Sequence, residues 1–181
     1  MIPVSLEMRE SLVAAIPALR AFAFSLTYDA DRSDDLVQDT LVRAWAKAHT
    51  FTPGTHLIAW LFTILRNLFY SEQRKRKREV EDVDGMLAEQ LAALPEQEIR
   101  IELAEFGTAL SGLPIAQREA LILVGAQGFS YEETAQICGV AVGTIKSRVN
   151  RARTILVTRL GMTGTGDIGT DATTRAAMGD R

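Results

Sequence analysis

Cysteine is almost absent from this chain: Cys138 stands alone among 181 residues, so no disulfide can form within it, and a reducing compartment suits it. The N-terminus, Met1-Ile2-Pro3-Val4, lacks the basic start and apolar run of a secretory signal. The longest apolar run, Ala120 to Ala126, falls far short of the roughly 20 residues a membrane span needs. A soluble, cytoplasmic protein with no membrane insertion is expected. Alternation of period two is missing throughout, which argues against strands. His49 and His56 have no cysteine or carboxylate at ligand spacing, and no glycine-rich phosphate cradle is visible. Both histidines read as surface residues, and no metal, cofactor or catalysis is expected.

What is present is enough apolar material for a core, 47% of the residues, in one domain or two small ones. The net charge of −3 looks wrong for a nucleic-acid binder, but it hides a sorting of charge along the chain. Arg66 and the run Arg74, Lys75, Arg76, Lys77 and Arg78 form one basic block. Lys146, Arg148, Arg151, Arg153 and Arg159 form another, with no acid between Gly139 and Gly161. Between them Glu79, Glu81, Asp82, Asp84, Glu89, Glu96, Glu98, Glu102 and Glu105 face a single base, Arg100. Two basic faces separated by an acidic connector suggest two DNA-contacting modules joined by a segment that phosphate repels. For Arg74–Arg78 alone, a solvated surface fits as well.

The periodicity predicts an all-α protein. A first helix is expected over 6–27, kinked or divided by Pro17. Ser33 or Asp34 can cap a second, whose apolar stripe is Leu36, Val37, Thr40, Leu41, Ala44 and Trp45. Asp35, Gln38 and Asp39 share another face. Thr55 can cap a third helix beginning near His56, with Leu57, Trp60, Leu61, Ile64, Leu65 and Leu68 inward. Thr63, Arg66, Asn67, Tyr70 and Arg74 lie on its opposite side. Trp45 and Trp60, falling on apolar stripes, are expected in the core. These three helices make a domain over 5–78. Residues 79–95, acidic and interrupted by Gly85 and Pro95, read as a linker. A second domain, of four helices, is expected over 96–161: from near Glu96 to Ser111, from Pro114 to about Ala126, a short one ending at Cys138-Gly139, and a long one from about Val142 to Leu160. The tail over 162–181, rich in Gly and Thr, reads as disordered.

The last two helices carry the physical core of the functional reading. Ser130 with Glu133 three positions on is a capping-box pattern. A helix-turn-helix needs a small residue where its helices cross, a glycine free to turn left-handed, and an aliphatic anchor on the second helix. Ala135, Gly139 and Ile145 supply these in order. An ordinary helical hairpin has the same spacing, but the charges narrow the choice. With Ile145, Val149, Ala152 and Leu156 inward, the outward set is Thr144, Lys146, Ser147, Arg148, Asn150, Arg151 and Arg153. Such a face suits the major groove, where Arg and Lys bond guanine edges and Asn bonds adenine.

At these residues a family resemblance appears. Leu113-Pro114, Gln117-Arg118-Glu119-Ala120-Leu121, Gly128-Phe129-Ser130-Tyr131-Glu132-Glu133, Val142-Gly143-Thr144-Ile145-Lys146-Ser147-Arg148 and Arg151-Ala152-Arg153 together resemble region 4 of extracytoplasmic-function sigma factors. Asp34-Asp35-Leu36-Val37-Gln38-Asp39-Thr40 with Arg43-Ala44-Trp45 resembles region 2, and Trp60-Leu61 with Arg66-Asn67 the family's next segment. The wording of 120–126 and Cys138-Gly139 most resembles the alphaproteobacterial general-stress group.

The resemblance implies an RNA polymerase sigma factor that recognises −35 and −10 promoter elements and assists promoter opening. It implies that Asp35, Gln38, Asp39 and Arg43 grip the clamp helices of the polymerase's largest subunit, although a plain solvated helix face has the same polar pattern. It further implies contact with the second-subunit flap, and capture of a flipped base by the loop holding Phe51, Thr52, Gly54 and Thr55. Asn67, with Arg66 and Arg74, would meet the −10 element, and the outward face of the last helix the −35 element. An anti-sigma partner is expected from the family. Two other readings stay open: a sigma-like decoy that binds an anti-sigma factor, and an ordinary helix-turn-helix regulator.

Overall fold

Leu12, Ala15, Leu19, Phe22, Ala23 and Leu26 recur every three or four residues and are all buried, which makes one face of the first helix a core face. The structure, a computed structural model, describes residues 6–52, 54–81 and 101–161. The expected linker beyond residue 81, the start near Glu96 and the tail lie outside the described residues. Two compact units result, Met1–Leu94 and Pro95–Arg181.

In the first unit α1 (Leu6–Thr27), α2 (Ala30–Ala46) and α3 (Leu57–Glu81) pack against one another, with a single 3-10 turn, Ala48–Thr50, after α2. α1 runs unbroken across Pro17, against the expected division. Pro17 sits on the exposed side of α1. By length and composition α1 could cross a membrane, yet its apolar face is the one packed on α2 and α3.

α2 begins earlier than expected. Its cap is Asp29, whose carboxylate accepts from the Arg32 backbone N–H at 3.0 Å. Ser33 lies inside the first turn, buried, its hydroxyl donating to the Asp29 carbonyl and sharing a 2.7 Å hydrogen bond with Thr27. Asp34 does not cap either. It pairs with Arg20 of α1, Nε to Oδ1 at 2.6 Å and Nη2 to Oδ2 at 2.5 Å. Asp29, Asp31, Ser33 and Asp34 are all competent caps, and between Asp29 and Leu36 only the small Ala30 is apolar, too little to mark which one starts the helix.

α3 is about 37 Å long by its 25 residues. Leu61, Leu65 and Leu68 are buried as expected, but the rest of the face is Phe62 and Phe69, both fully buried, while Leu57, Trp60 and Ile64 are half-buried. α3 packs on α1 and α2 together, so its core face is wide enough to take both phenylalanines. Phe62 meets Phe22 of α1 with ring centroids 4.7 Å apart. Each side chain of this kind contributes on the order of 1.5–3 kcal/mol by leaving water.

The second unit is α4 (Ile101–Ser111), α5 (Ile115–Gly125), α6 (Tyr131–Cys138) and α7 (Val142–Leu160). α5 is buried from Arg118 through Val124. Arg118 is not stranded there, since its Nη1 donates to the Ser111 carbonyl at 2.7 Å. Arg159 of α7 donates to the Ala109 carbonyl at 3.1 Å, so two cations satisfy carbonyls where α4 ends and complement its dipole. The Arg159 guanidinium lies over Gly112, where any Cβ would collide with Nη1.

Candidate nucleic-acid and protein interfaces

α6 and α7 form the expected helix-turn-helix. Ser130 Oγ accepts from the Glu133 N–H at 3.1 Å, and the Glu133 carboxylate accepts from the Ser130 N–H at 2.9 Å, which closes the capping box. Gly139 ends α6 at φ 65, a left-handed conformation in which a side chain is strained, and the Val140 N–H returns to the Ala135 carbonyl at 3.1 Å. Ala135 and Ile145 are buried where the helices cross, and Ile145, Val149, Ala152 and Leu156 form the buried stripe of α7.

The outward side of α7 is graded. Thr144, Lys146, Asn150 and Arg151 are exposed, Ser147 is half-buried, and Arg148 and Arg153 flank the core stripe half-buried on its two sides. One nitrogen of Arg148, Nη1, is buried without a hydrogen-bond partner among the described residues. Lys146 Nζ lies 5.8 Å from the ring centroid of Tyr131, the first residue of α6, a contact that links this exposed lysine to the preceding helix. The arrangement presents a set of donors along one convex helix face.

In the first unit three groups of expected site residues fall on different elements. Asp35, Gln38, Asp39 and Arg43 are all exposed on α2. The hydrogen bond from Arg20 holds the Asp34 carboxyl below its ordinary range and ties it to α1, which leaves Asp35 and Asp39 as the outward carboxylates. In the middle of that face sits Val42, 62% exposed, four residues from Gln38 and seven from Asp35. Sequence reasoning missed it, though the heptad spacing from Asp35 was visible. Trp45 is a correction: it is 43% exposed, with Arg9 of α1 stacked 5.4 Å from its ring. Ala44, not Trp45, ends the buried stripe of α2, and the indole is left at the surface under the Arg9 guanidinium.

Thr52, Gly54 and Thr55 are exposed, and the half-buried Phe51 ring stacks on Trp60 at 5.3 Å. Thr55 does not cap α3: its backbone N–H and its hydroxyl both donate back to the Thr52 carbonyl, at 3.2 and 2.7 Å. α3 begins at Leu57 and the Trp60 N–H bonds the His56 carbonyl, so His56 stands at the cap position and Thr55 one residue outside it. On α3, Asn67 and Arg74 are exposed and Arg66 lies 4.6 Å over the Tyr70 ring. Asn67 and Arg74, seven residues apart, share one side of the helix. Both histidines are exposed.

Residues 12–79 match the family model of sigma-70 region 2, and residues 103–156 that of sigma-70 region 4. Over 177 residues, 98% of either chain, the sequence is 59% identical to the ECF RNA polymerase sigma factor EcfG of Rhodopseudomonas palustris strain TIE-1. The chain belongs to the extracytoplasmic-function sigma factors. Its fold is therefore that of a transcription initiation factor of the sigma-70 family, and sigma factors bind core RNA polymerase and promoter DNA. Among solved structures, the sigma factor RpoE of Bartonella quintana, in complex with the anti-sigma factor NepR, is 53% identical, covering 88% of this chain and all of that one with a TM-score of 0.81. The anti-anti-sigma factor PhyR of the same organism, also solved with NepR, is 19% identical, with a TM-score of 0.55 over 86% of this chain and 51% of that one, and shares the fold alone. This sigma factor stands far nearer in sequence to the initiation factors than to the anti-anti-sigma protein.

Proposed function

We propose that this sigma factor loads onto core polymerase through the exposed face of α2, with Asp35, Gln38, Asp39 and Arg43 bonding around the apolar centre at Val42. A mixed face of this kind suits a protein partner, since the carboxylates steer and orient while the valine desolvates. Thr144, Lys146, Ser147, Arg148, Asn150, Arg151 and Arg153 read the −35 element. Phe51, Thr52, Gly54 and Thr55 hold a flipped base of the −10 element, and Asn67, Arg66 and Arg74 meet the DNA beside it. The working modules are residues 5–78 and 96–161, with 79–95 as the connector and 162–181 as a tail of no assigned role; α3 itself continues three residues past 78. The 59% identity to EcfG supports control of stress-response genes. The solved RpoE–NepR complex supports an anti-sigma partner of the NepR kind. The protein acts in the cytoplasm and carries out no chemistry of its own.

The observation that carries this reading is that both basic helix faces and the α2 face are intact in one chain with sigma-factor identity along its length. A decoy for an anti-sigma factor has no use for the basic faces. The test adds the purified chain to core RNA polymerase and maps transcript starts on genomic DNA. New start sites preceded by a shared pair of elements are expected. No new start from a folded protein would overturn the reading, and binding to an anti-sigma protein with no transcription would favour the decoy.

A further inference from the structure

The core stripe of α3 is continued, seven residues on from Leu65, Leu68 and Phe69, by Glu72, Lys75 and Arg76. There the helix has run beyond the body of α2, and charge replaces the apolar side chains. Across from them the first two turns of α2 bring Arg32 and Asp35, and the five residues line an open notch of about 230 Å³. Arg32 is half-buried in it, and two of its nitrogens, Nε and Nη2, are buried without a hydrogen-bond partner among the described residues. Burial pushes the guanidinium below its ordinary pKa and Arg76 pushes it the same way, against Glu72 and Asp29. A cation kept partly desolvated beside another cation lowers the stability of the free protein. The N-terminal end of α2, where Arg32 sits in the first turn, adds positive potential.

We propose that this notch receives a carboxylate of core RNA polymerase, bonded by Arg32 within the positive field of Arg76 and Lys75. The proposal rests on the reading that the α2 face docks on polymerase, and it extends that surface from Asp35 around the start of the helix. Two observations favour a protein carboxylate over a DNA phosphate. Asp35 and Glu72 line the same notch, and they would repel the row of phosphates that accompanies any one phosphate, whereas a protein face carries both signs. Arg74 shares the side of Asn67 and does not line the notch, so the cations facing the expected DNA side are different ones.

The test titrates core polymerase into fluorescently labelled full-length chain, wild type against Arg32→Gln, Arg32→Glu, Arg76→Glu and Asp39→Asn, with a thermal melt of each free protein. Arg32→Gln should loosen core binding about tenfold while melting no lower than wild type, because it removes the unpaired charge. Arg32→Glu and Arg76→Glu should loosen it further, and Arg76 is exposed, so its substitution keeps the test valid if Arg32 variants melt low. Promoter binding by holoenzyme assembled at saturating sigma should not change. Unchanged core affinity for the Arg32 and Arg76 variants would overturn the proposal. If promoter binding alone weakened, the notch would hold phosphate; if affinity for an anti-sigma protein alone weakened, it would hold that partner. Either result overturns it too. Asp39→Asn, on the α2 face but outside the notch, separates the two readings: loss there with no loss at Arg32 or Arg76 sinks the notch and keeps the α2 face, and loss at neither sinks both.

Discussion

The two basic clusters of this protein look alike as sequence and differ as structure. On α7 the cations are spaced so that Arg151 falls opposite the buried stripe of Ile145, Val149, Ala152 and Leu156, with Lys146 and Arg153 on one side of it and Arg148 on the other. On α3 the five consecutive cations 74–78 must spread around the whole helix, because consecutive residues turn about 100° each. Arg74 faces the side of Asn67, while Lys75 and Arg76 line the notch against α2. Nearness in sequence is therefore not a shared face, and a charge run on a helix should be divided by azimuth before a ligand is assigned to it.

The largest effect that bears on this division is on the α3 core face. Phe62→Ala should destabilise the first unit by about 3–5 kcal/mol, since a fully buried ring packed on Phe22 is removed, and Ile145→Ala should cost the second about 2–5 kcal/mol. Trp60→Ala, at a half-buried position, should cost clearly less than Phe62→Ala. Chemical denaturation checks all three. Equal losses at Trp60 and Phe62 would restore the stripe expected from sequence and rotate every α3 assignment with it.

That rotation shows what the sequence could carry. The ends of α7, its stripe and the capping box of α6 were legible because polar and apolar residues alternate there at helical period, and Gly139 and Gly161 punctuate. α3 offers too many apolar residues for a choice: Leu57, Trp60, Leu61, Phe62, Ile64, Leu65, Leu68 and Phe69 fill most of its circumference. Which of them is buried depends on two neighbouring helices that periodicity does not see. Trp45 misled for the same reason, and Val42 was passed over because an apolar residue amid acids looks like noise until its exposure is known. Of the candidate site, the exposed positions on α2 and α7 were readable; the notch was not, since it needs Arg32 and Arg76 brought together by tertiary packing.

A smaller effect sharpens the contrast between the clusters. Arg151→Ala should cost about 1–3 kcal/mol for each −35 base edge that the arginine bonds and relax selectivity at that base, measured with promoter variants at fixed salt. Arg74→Ala should weaken promoter binding evenly across −10 sequences and lower the salt slope of the holoenzyme by about 1, as removal of a phosphate-neutralising cation does. Arg76→Ala should leave that slope alone. A slope change at Arg76 equal to that at Arg74 would return the whole 74–78 run to the DNA.

The smallest effect concerns how each unit starts the helix that carries or supports its face. α6 has only eight residues, too few to hold its own conformation, so its first turn depends on the reciprocal bonds between Ser130 and Glu133. α2 has seventeen, and behind its cap Asp29 the Thr27 and Ser33 hydroxyls bond one another and the Asp29 carbonyl. Ser130→Ala should therefore cost about 1 kcal/mol, and Ser130→Asp should restore most of it, since a carboxylate accepts the same N–H and suits the helix dipole. Tyr131, the next residue, supports Lys146, so fraying of this turn should also weaken −35 binding by a few-fold at temperatures where the unit remains folded. Asp29→Ala should cost α2 a similar amount without changing DNA binding. Thermal melts paired with promoter titrations decide it: if Ser130→Ala lowered stability and left −35 affinity intact, Tyr131 would be packing for α6 and not a support for the reading helix.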